Sequence, residues 1–267
     1  MSFPEPHIHD ATTAHAYTII LLHGRGSNGP EFAKEFFEAR TSSGLNLAEH
    51  FPSWRWVFPS AKARLSTIFG EKMTEWFDTY SLSDINAESH LQVEGLGEAV
   101  RFILDLIEEE AKCVGAAEKV VLGGVSQGEA TALQAFLCGQ RRLGAFVGAS
   151  GWFPFAGQVE AILRESEGSE KQVAAFLRNN LGLGDWIATS SAGLGLVLET
   201  PVFLGHGADD VWVDLKLGKQ ARDILKSMGI DVTWRKYIGA EEDGHWLKET
   251  EEFDDIVKFL KEKVICI

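Results

Sequence analysis

The sequence predicts an α/β fold with a mostly parallel central sheet and helices on both faces, on three observations. Short, β-branched apolar runs alternate with segments of helical period along the chain. Most of those runs lack the polar alternation of a strand wetted on one side, so they read as buried on both faces. No internal repeat or low-complexity linker divides the 267 residues, a length near the upper end of what one hydrophobic core supports, so a single domain spanning 1–267 is expected.

In chain order, strands are expected at 17–22, 54–58, 120–123, 145–148, 202–204 and 232–237. Between them, 95–110 places Leu96, Val100, Ile103 and Ile107 at three- and four-residue steps with Glu98, Arg101, Asp105 and Glu108 opposite, the pattern of an amphipathic helix. The same kind of period marks 130–138, 215–228 and 253–264. Residues 158–198 carry Gly168, Gly182, Gly184, Gly193 and Gly195 around one amphipathic run at 171–177, and are expected to form an insertion or lid-like excursion. The first residues, with His7, His9 and His15, read as a solvated tail.

Charge and cysteine usage narrow the function. With 25 Lys and Arg against 39 Asp and Glu, the net charge is -14, which repels phosphate backbones and anionic lipid and counts against nucleic-acid binding. Cys113, Cys138 and Cys266 are odd in number and widely spaced, without the pattern of a disulfide framework or metal site. The chain shows neither a secretory-signal pattern nor an apolar run of membrane-spanning length, so a cytoplasmic location without stable membrane insertion is expected.

The sharpest local signal is the run 119–130, KVVLGGVSQGEA, in which a buried strand enters Gly-x-Ser-x-Gly and then a helix. A serine on such a turn takes a strained backbone, and Gly124 and Gly128 remove the Cβ atoms that would collide with the neighbouring strand and helix. The Ser126 hydroxyl then stands clear of the sheet, beside a helix N-terminus whose free N–H groups suit an oxyanion. A serine needs a base. Of eight histidines, His245 in Asp243-Gly244-His245-Trp246, between the last strand and last helix, is the best placed. His23 and His206 follow buried strands and read as structural, and nothing distinguishes His50 or His90. The acid is expected between Ser and His in chain order. Asp209 and Asp210 lie there, after the strand at 202–204, and either carboxylate can reach an imidazole.

Taken together, LLHGRGSNG at 21–29, FPSWRWVFPSAKAR at 51–64, EWFD at 75–78, LGGVSQGEA at 122–130, SGWFP at 150–154, HGADDVWV at 206–213 and GHW at 244–246 make the chain similar to the acyl-protein thioesterase and carboxylesterase family of α/β-hydrolases, also called the phospholipase/carboxylesterase family. The resemblance implies Ser126 as nucleophile, His245 as general base and Asp210, the fourth residue after the His of the HG block, as orienting acid. It also implies an oxyanion hole from the backbone N–H groups of Arg25 and Gln127, and places Trp76, Phe77, Trp152, Phe153 and Trp212 near the active site. Ser27 stands where the family usually has Asp, Asp214 replaces a common Pro, and the stretch between SGWFP and HGADD is longer than in compact members. The expected activity is hydrolysis of carboxylic esters or thioesters through an acyl-enzyme, without metal or cofactor, by an acyl-protein thioesterase-like enzyme, either monomer or homodimer. The alternatives are a lysophospholipase or small-ester carboxylesterase, with a lysophospholipid rather than a lipidated protein as substrate, and a ligand-binding relative without turnover.

Overall fold

The computed structural model describes residues 2–81, 83–85, 87–165, 169–184 and 194–265. Among these residues the strands are β1 (His7–His9), β2 (Tyr17–Leu22), β3 (Trp54–Phe58), β4 (Lys62–Leu65), β5 (Lys72–Glu75), β6 (Val120–Val125), β7 (Ala145–Ala149), β8 (Val202–Gly207) and β9 (Val232–Tyr237). Seven of them make one sheet in the order β1-β3-β2-β6-β7-β8-β9, and β4 and β5 pair separately as an antiparallel hairpin. Only β1 runs antiparallel within the large sheet, against β3. The tail around His7 and His9 is therefore an edge strand, with His7 opposite Phe58 and His9 opposite Trp56. Three residues with two exposed side chains are too short to show a period, which is why they read as solvated.

Alternation along the strands divides the core into two layers, as a period of two requires. On β2, Ile19 and Leu21 face one apolar cluster while Ile20 and Leu22 face the other. The first cluster is closed by α1 (Gly29–Glu38), α2 (Leu47–His50) and α8 (Glu251–Leu260) through Phe32, Phe36, Leu47, Phe253 and Ile256. The second is closed by α3 (His90–Val114), α4 (Gln127–Cys138), α5 (Ala156–Glu165), α6 (Ser169–Asn180) and α7 (Leu215–Ser227). Helix α1 begins where Asn28 accepts a hydrogen bond from the Glu31 N–H at 3.0 Å, with Pro30 in its first turn. Helix α8 gives way to a π-helical turn over Lys261–Ile265, where the periodicity alone predicts continued α-helix.

The described part of 158–198 packs onto the body of the fold. Val159 of α5 and Val173, Ala174 and Leu177 of α6 are buried in the same apolar cluster as α4 and α7, and none of the described residues of this stretch lines the main cavity. Residues 185–193, Gly193 among them, lie outside the described residues, as do Gly168 and Cys266. Strand order reverses between β2 and β6, because β2 leads outward to β3 whereas β6 leads the other way to β7. A crevice opens at the carboxyl ends of strands at such a switch point. The loop His23–Ser27 follows β2 there, and Ser126 follows β6.

Candidate active site

Ser126 sits between β6 and α4 with φ +56° and ψ -123°, a backbone that a residue with a side chain rarely adopts. The turn is held because its amide donates to the Ala149 carbonyl at 2.9 Å and its own carbonyl accepts the Ala130 N–H at 3.1 Å, the first turn of α4. Close approach of the surrounding backbone explains the flanking glycines. A Cβ on Gly128 would lie 2.2 Å from the Leu22 carbonyl oxygen, and one on Gly124 would lie 2.6 Å from the Gly128 carbonyl carbon.

The two other loops meet backbone to backbone. A Cβ on Gly207, at the end of β8, would fall 2.0 Å from the Gly244 carbonyl oxygen, and the Val211 amide donates to the Asp243 carbonyl at 3.3 Å. This contact brings His245 against Asp210, whose Oδ2 accepts from the ring Nδ1 at 2.8 Å. The Asp210 side chain is fully enclosed, and its Oδ1 accepts the Trp212 and Val213 amides, each at 2.9 Å. A carboxylate that only accepts assigns the proton to Nδ1 and leaves Nε2 with its lone pair. Asp209 points elsewhere, its Oδ2 accepting the Gly239 amide at 2.9 Å.

His23 and His206 bond backbone at strand ends. His23 Nδ1 donates to the Gly24 carbonyl at 2.6 Å while Nε2 accepts the Ala61 amide at 3.0 Å, and burial pulls its pKa down to about 4, so the ring is neutral. His206 Nε2 donates to the Val213 carbonyl at 2.9 Å, and burial again lowers its pKa.

Ser126 and His245 line one cavity of about 650 Å³, a size suited to a small-molecule ligand. Its apolar wall comes from Phe32, Phe69, Met73, Val125, Trp212 and Trp246, and Ser27 also lines it. Of the five aromatic residues expected near the site, only Trp212 reaches this wall. Trp76, Phe77, Trp152 and Phe153 are sealed in the core, where large rings bury most area. Asp214, the other departure from the family pattern, caps α7 by accepting the Lys216 amide at 2.8 Å. Arg25 also lines the cavity, its guanidinium 4.9 Å from the Phe69 ring centre. Burial lowers its pKa, against the opposing pull of Glu75 and Asp78.

Two acids that the sequence does not mark as special are buried beside these loops. Glu129, three residues after Ser126, accepts the Gly151 amide at 2.8 Å, and Glu252 of α8 accepts the Lys248 amide at 2.9 Å. Burial pushes each carboxyl up to about 8, the hydrogen bond only partly offsetting it. Among the described residues no three His, Cys, Asp or Glu side chains are grouped to hold a metal ion, and no helix is long and apolar enough to cross a membrane.

Known proteins share this arrangement of elements. The family model described as phospholipase/carboxylesterase matches residues 4–176. Acyl-protein thioesterase 1 of Yarrowia lipolytica is 30% identical over 259 residues, 95% of each chain, and that of Gibberella zeae is 26% identical over 97% of this chain and 95% of its own. The crystal structure of Zea mays acyl-protein thioesterase 2 superposes with a TM-score of 0.71 at 26% identity, covering 98% of this chain and all of that one. The chain belongs to the phospholipase/carboxylesterase family of α/β-hydrolases and is a serine hydrolase of carboxylic esters or thioesters.

Proposed function

We propose that the protein is an acyl-protein thioesterase-like enzyme in which Ser126 is the nucleophile, His245 the general base and Asp210 the orienting acid. The observation that carries this reading is the 2.8 Å bond from His245 Nδ1 to the enclosed Asp210 carboxylate, on the wall of the cavity that Ser126 also lines. The Ser126 Oγ attacks the acyl carbonyl, its proton passes to His245 Nε2, and the carbonyl π pair moves onto oxygen. Backbone N–H groups of Arg25 and Gln127 receive that oxyanion. Collapse of the intermediate breaks the C–S or C–O bond, the leaving group takes the proton from His245, and water repeats the sequence on the acyl-enzyme. The aromatic and aliphatic wall suits the acyl chain.

The substrate class rests on the relatives, which are named acyl-protein thioesterases. A panel of acyl thioesters and esters of graded chain length, assayed with wild type and Ser126→Ala, tests it. Thioesters should be cleaved with the higher kcat/KM, and Ser126→Ala should lose roughly 10⁴-fold or more in kcat. Near-normal turnover by Ser126→Ala would remove the serine mechanism, and exclusive cleavage of oxygen esters would remove the thioesterase assignment.

A further inference from the structure

Backbone amides alone do not account for how the stretch between the hairpin and α3 is bonded. The Gln127 side chain is buried, yet it turns away from the cavity and spends its whole amide on residues 76–79. Its Oε1 accepts the Trp76 amide at 2.9 Å, and its Nε2 donates to the Phe77 carbonyl at 2.8 Å and to Thr79 Oγ1 at 3.3 Å. That stretch, together with the end of β5 before it, also reaches the loop after β2. Trp76 Nε1 donates to the His23 carbonyl at 2.8 Å, and the Gly26 amide donates to the Thr74 carbonyl at 2.8 Å. Arg25 lies between those two anchored residues.

We propose that the Gln127 side chain is a positioning residue for the oxyanion hole, a clamp that uses residues 74–77 to lock the Arg25 and Gln127 amides at one fixed separation. The inference rests on the proposed acyl-enzyme mechanism and deepens it. Two donors on two different loops stabilise an oxyanion only if both stay within hydrogen-bonding distance of one point before the charge develops. The loop after β2 and the first turn of α4 belong to adjacent strands, and residues 74–77 tie them together beyond the sheet, with both ends fixed by buried hydrogen bonds. The amide is suited chemically because it presents one acceptor to an N–H and two donors to a carbonyl and a hydroxyl. A carboxylate there would set oxygen against the Phe77 carbonyl oxygen.

The test compares wild type, Gln127→Met, which keeps length and apolar packing without the three bonds, and Trp76→Phe, which keeps a ring but loses the bond to the His23 carbonyl. The measurements are kcat and KM on a short activated ester and the inhibition constant of an alkyl trifluoromethyl ketone. On the proposed mechanism the Ser126 Oγ adds to that ketone, its proton passes to His245, and the oxygen becomes an anion in the hole. Misplacing a donor costs less than removing one, so kcat should fall roughly 10- to 100-fold in each variant with KM within about threefold. The ketone inhibition constant should rise in proportion to the loss in kcat/KM, which loosened packing remote from the hole would not produce. If Gln127→Met fails to fold, the same proportionality in Trp76→Phe supports the clamp. Folded variants with kcat within about threefold of wild type, or with kcat lowered and ketone affinity unchanged, would overturn it. Wild type that hydrolyses the ester but does not bind the ketone would instead overturn the acyl-enzyme reading, and the clamp with it.

Discussion

Asp210→Asn changes one oxygen to an NH₂ in a site where every acceptor is in use. Oδ1 faces the Trp212 and Val213 amides and Oδ2 faces His245 Nδ1, all within 2.9 Å. An asparagine keeps one oxygen, and two amide donors outvote one ring nitrogen, so the oxygen stays at the Oδ1 position and the NH₂ turns to His245. The imidazole must then present a lone pair at Nδ1 and carry its proton on Nε2, where it cannot take the serine proton. The corresponding change in the serine-protease triad costs about 10⁴ in kcat, and four factors of ten correspond to roughly 5.4 kcal/mol of barrier. Asp209→Asn retains an amide oxygen for the Gly239 N–H and leaves His245 untouched, so it should cost about 1 kcal/mol at most, less than about tenfold. Initial rates on a saturating p-nitrophenyl ester, with folding checked by thermal melts, measure both. Both variants are isosteric with the aspartate, and because Asp210 is enclosed while Asp209 is exposed, the melts separate a loss of folding from a loss of catalysis. A crippled Asp209→Asn beside a mild Asp210→Asn would refute the assignment of the acid.

Burial of Glu129 holds its carboxyl neutral up to about pH 8 in the fold, whereas the unfolded chain releases that proton near 4.5. The stability it contributes is complete below 4.5 and is lost as pH rises toward 8. Glu129→Gln should therefore raise Tm much more at pH 8 than at pH 5, and an equal shift at both would contradict the neutral carboxyl. Gly128→Ala would drive a methyl to 2.2 Å from the Leu22 carbonyl oxygen, so chemical denaturation should show a loss of about 1–3 kcal/mol or more together with lost esterase activity. An unaltered midpoint would mean the turn is looser than described. Trp212 is half-exposed on the cavity wall, and Trp212→Ala should raise KM for a long-chain acyl ester by roughly tenfold, the worth of about 1–2 kcal/mol of apolar contact, while barely changing an acetyl ester. Equal effects on the two esters would place the acyl chain elsewhere.

How much of this was legible in the sequence follows from the range of each interaction. Strands β2, β3 and β9 are read to the residue, because each is rich in β-branched and aromatic residues and is bounded on at least one side by turn-forming residues. Helix α1 is signalled by Asn28, Pro30 and the spacing of Phe32 and Phe36, although its start overlaps the loop motif at 21–29. The hairpin of β4 and β5 is short and polar at an edge, where period and hydropathy say little. Ser126 and His245 could be singled out because each sits in a local motif between a strand and a helix. The direction in which Asp209 and Asp210 point depends on contact between two distant loops, and no local pattern encodes it. The cavity wall is harder still. Phe69 and Met73 come from the turn and second strand of the β4–β5 hairpin and Trp246 from the loop after β9, whereas the aromatic clusters that stand out in the chain, Trp76-Phe77 and Trp152-Phe153, went to the core. The EWFD run did carry a signal, but for bracing Gln127 and His23 rather than for contact with the acyl chain.

The central claim is that Ser126 forms the acyl-enzyme, and intact-mass spectrometry after treatment with a fluorophosphonate, followed by peptide mapping, addresses it most directly. One phosphonyl group per chain, located on Ser126, absent from Ser126→Ala and formed much more slowly in His245→Ala, is the result this account predicts. Undiminished labelling of Ser126→Ala, or an unlabelled wild type that still hydrolyses esters, would contradict it.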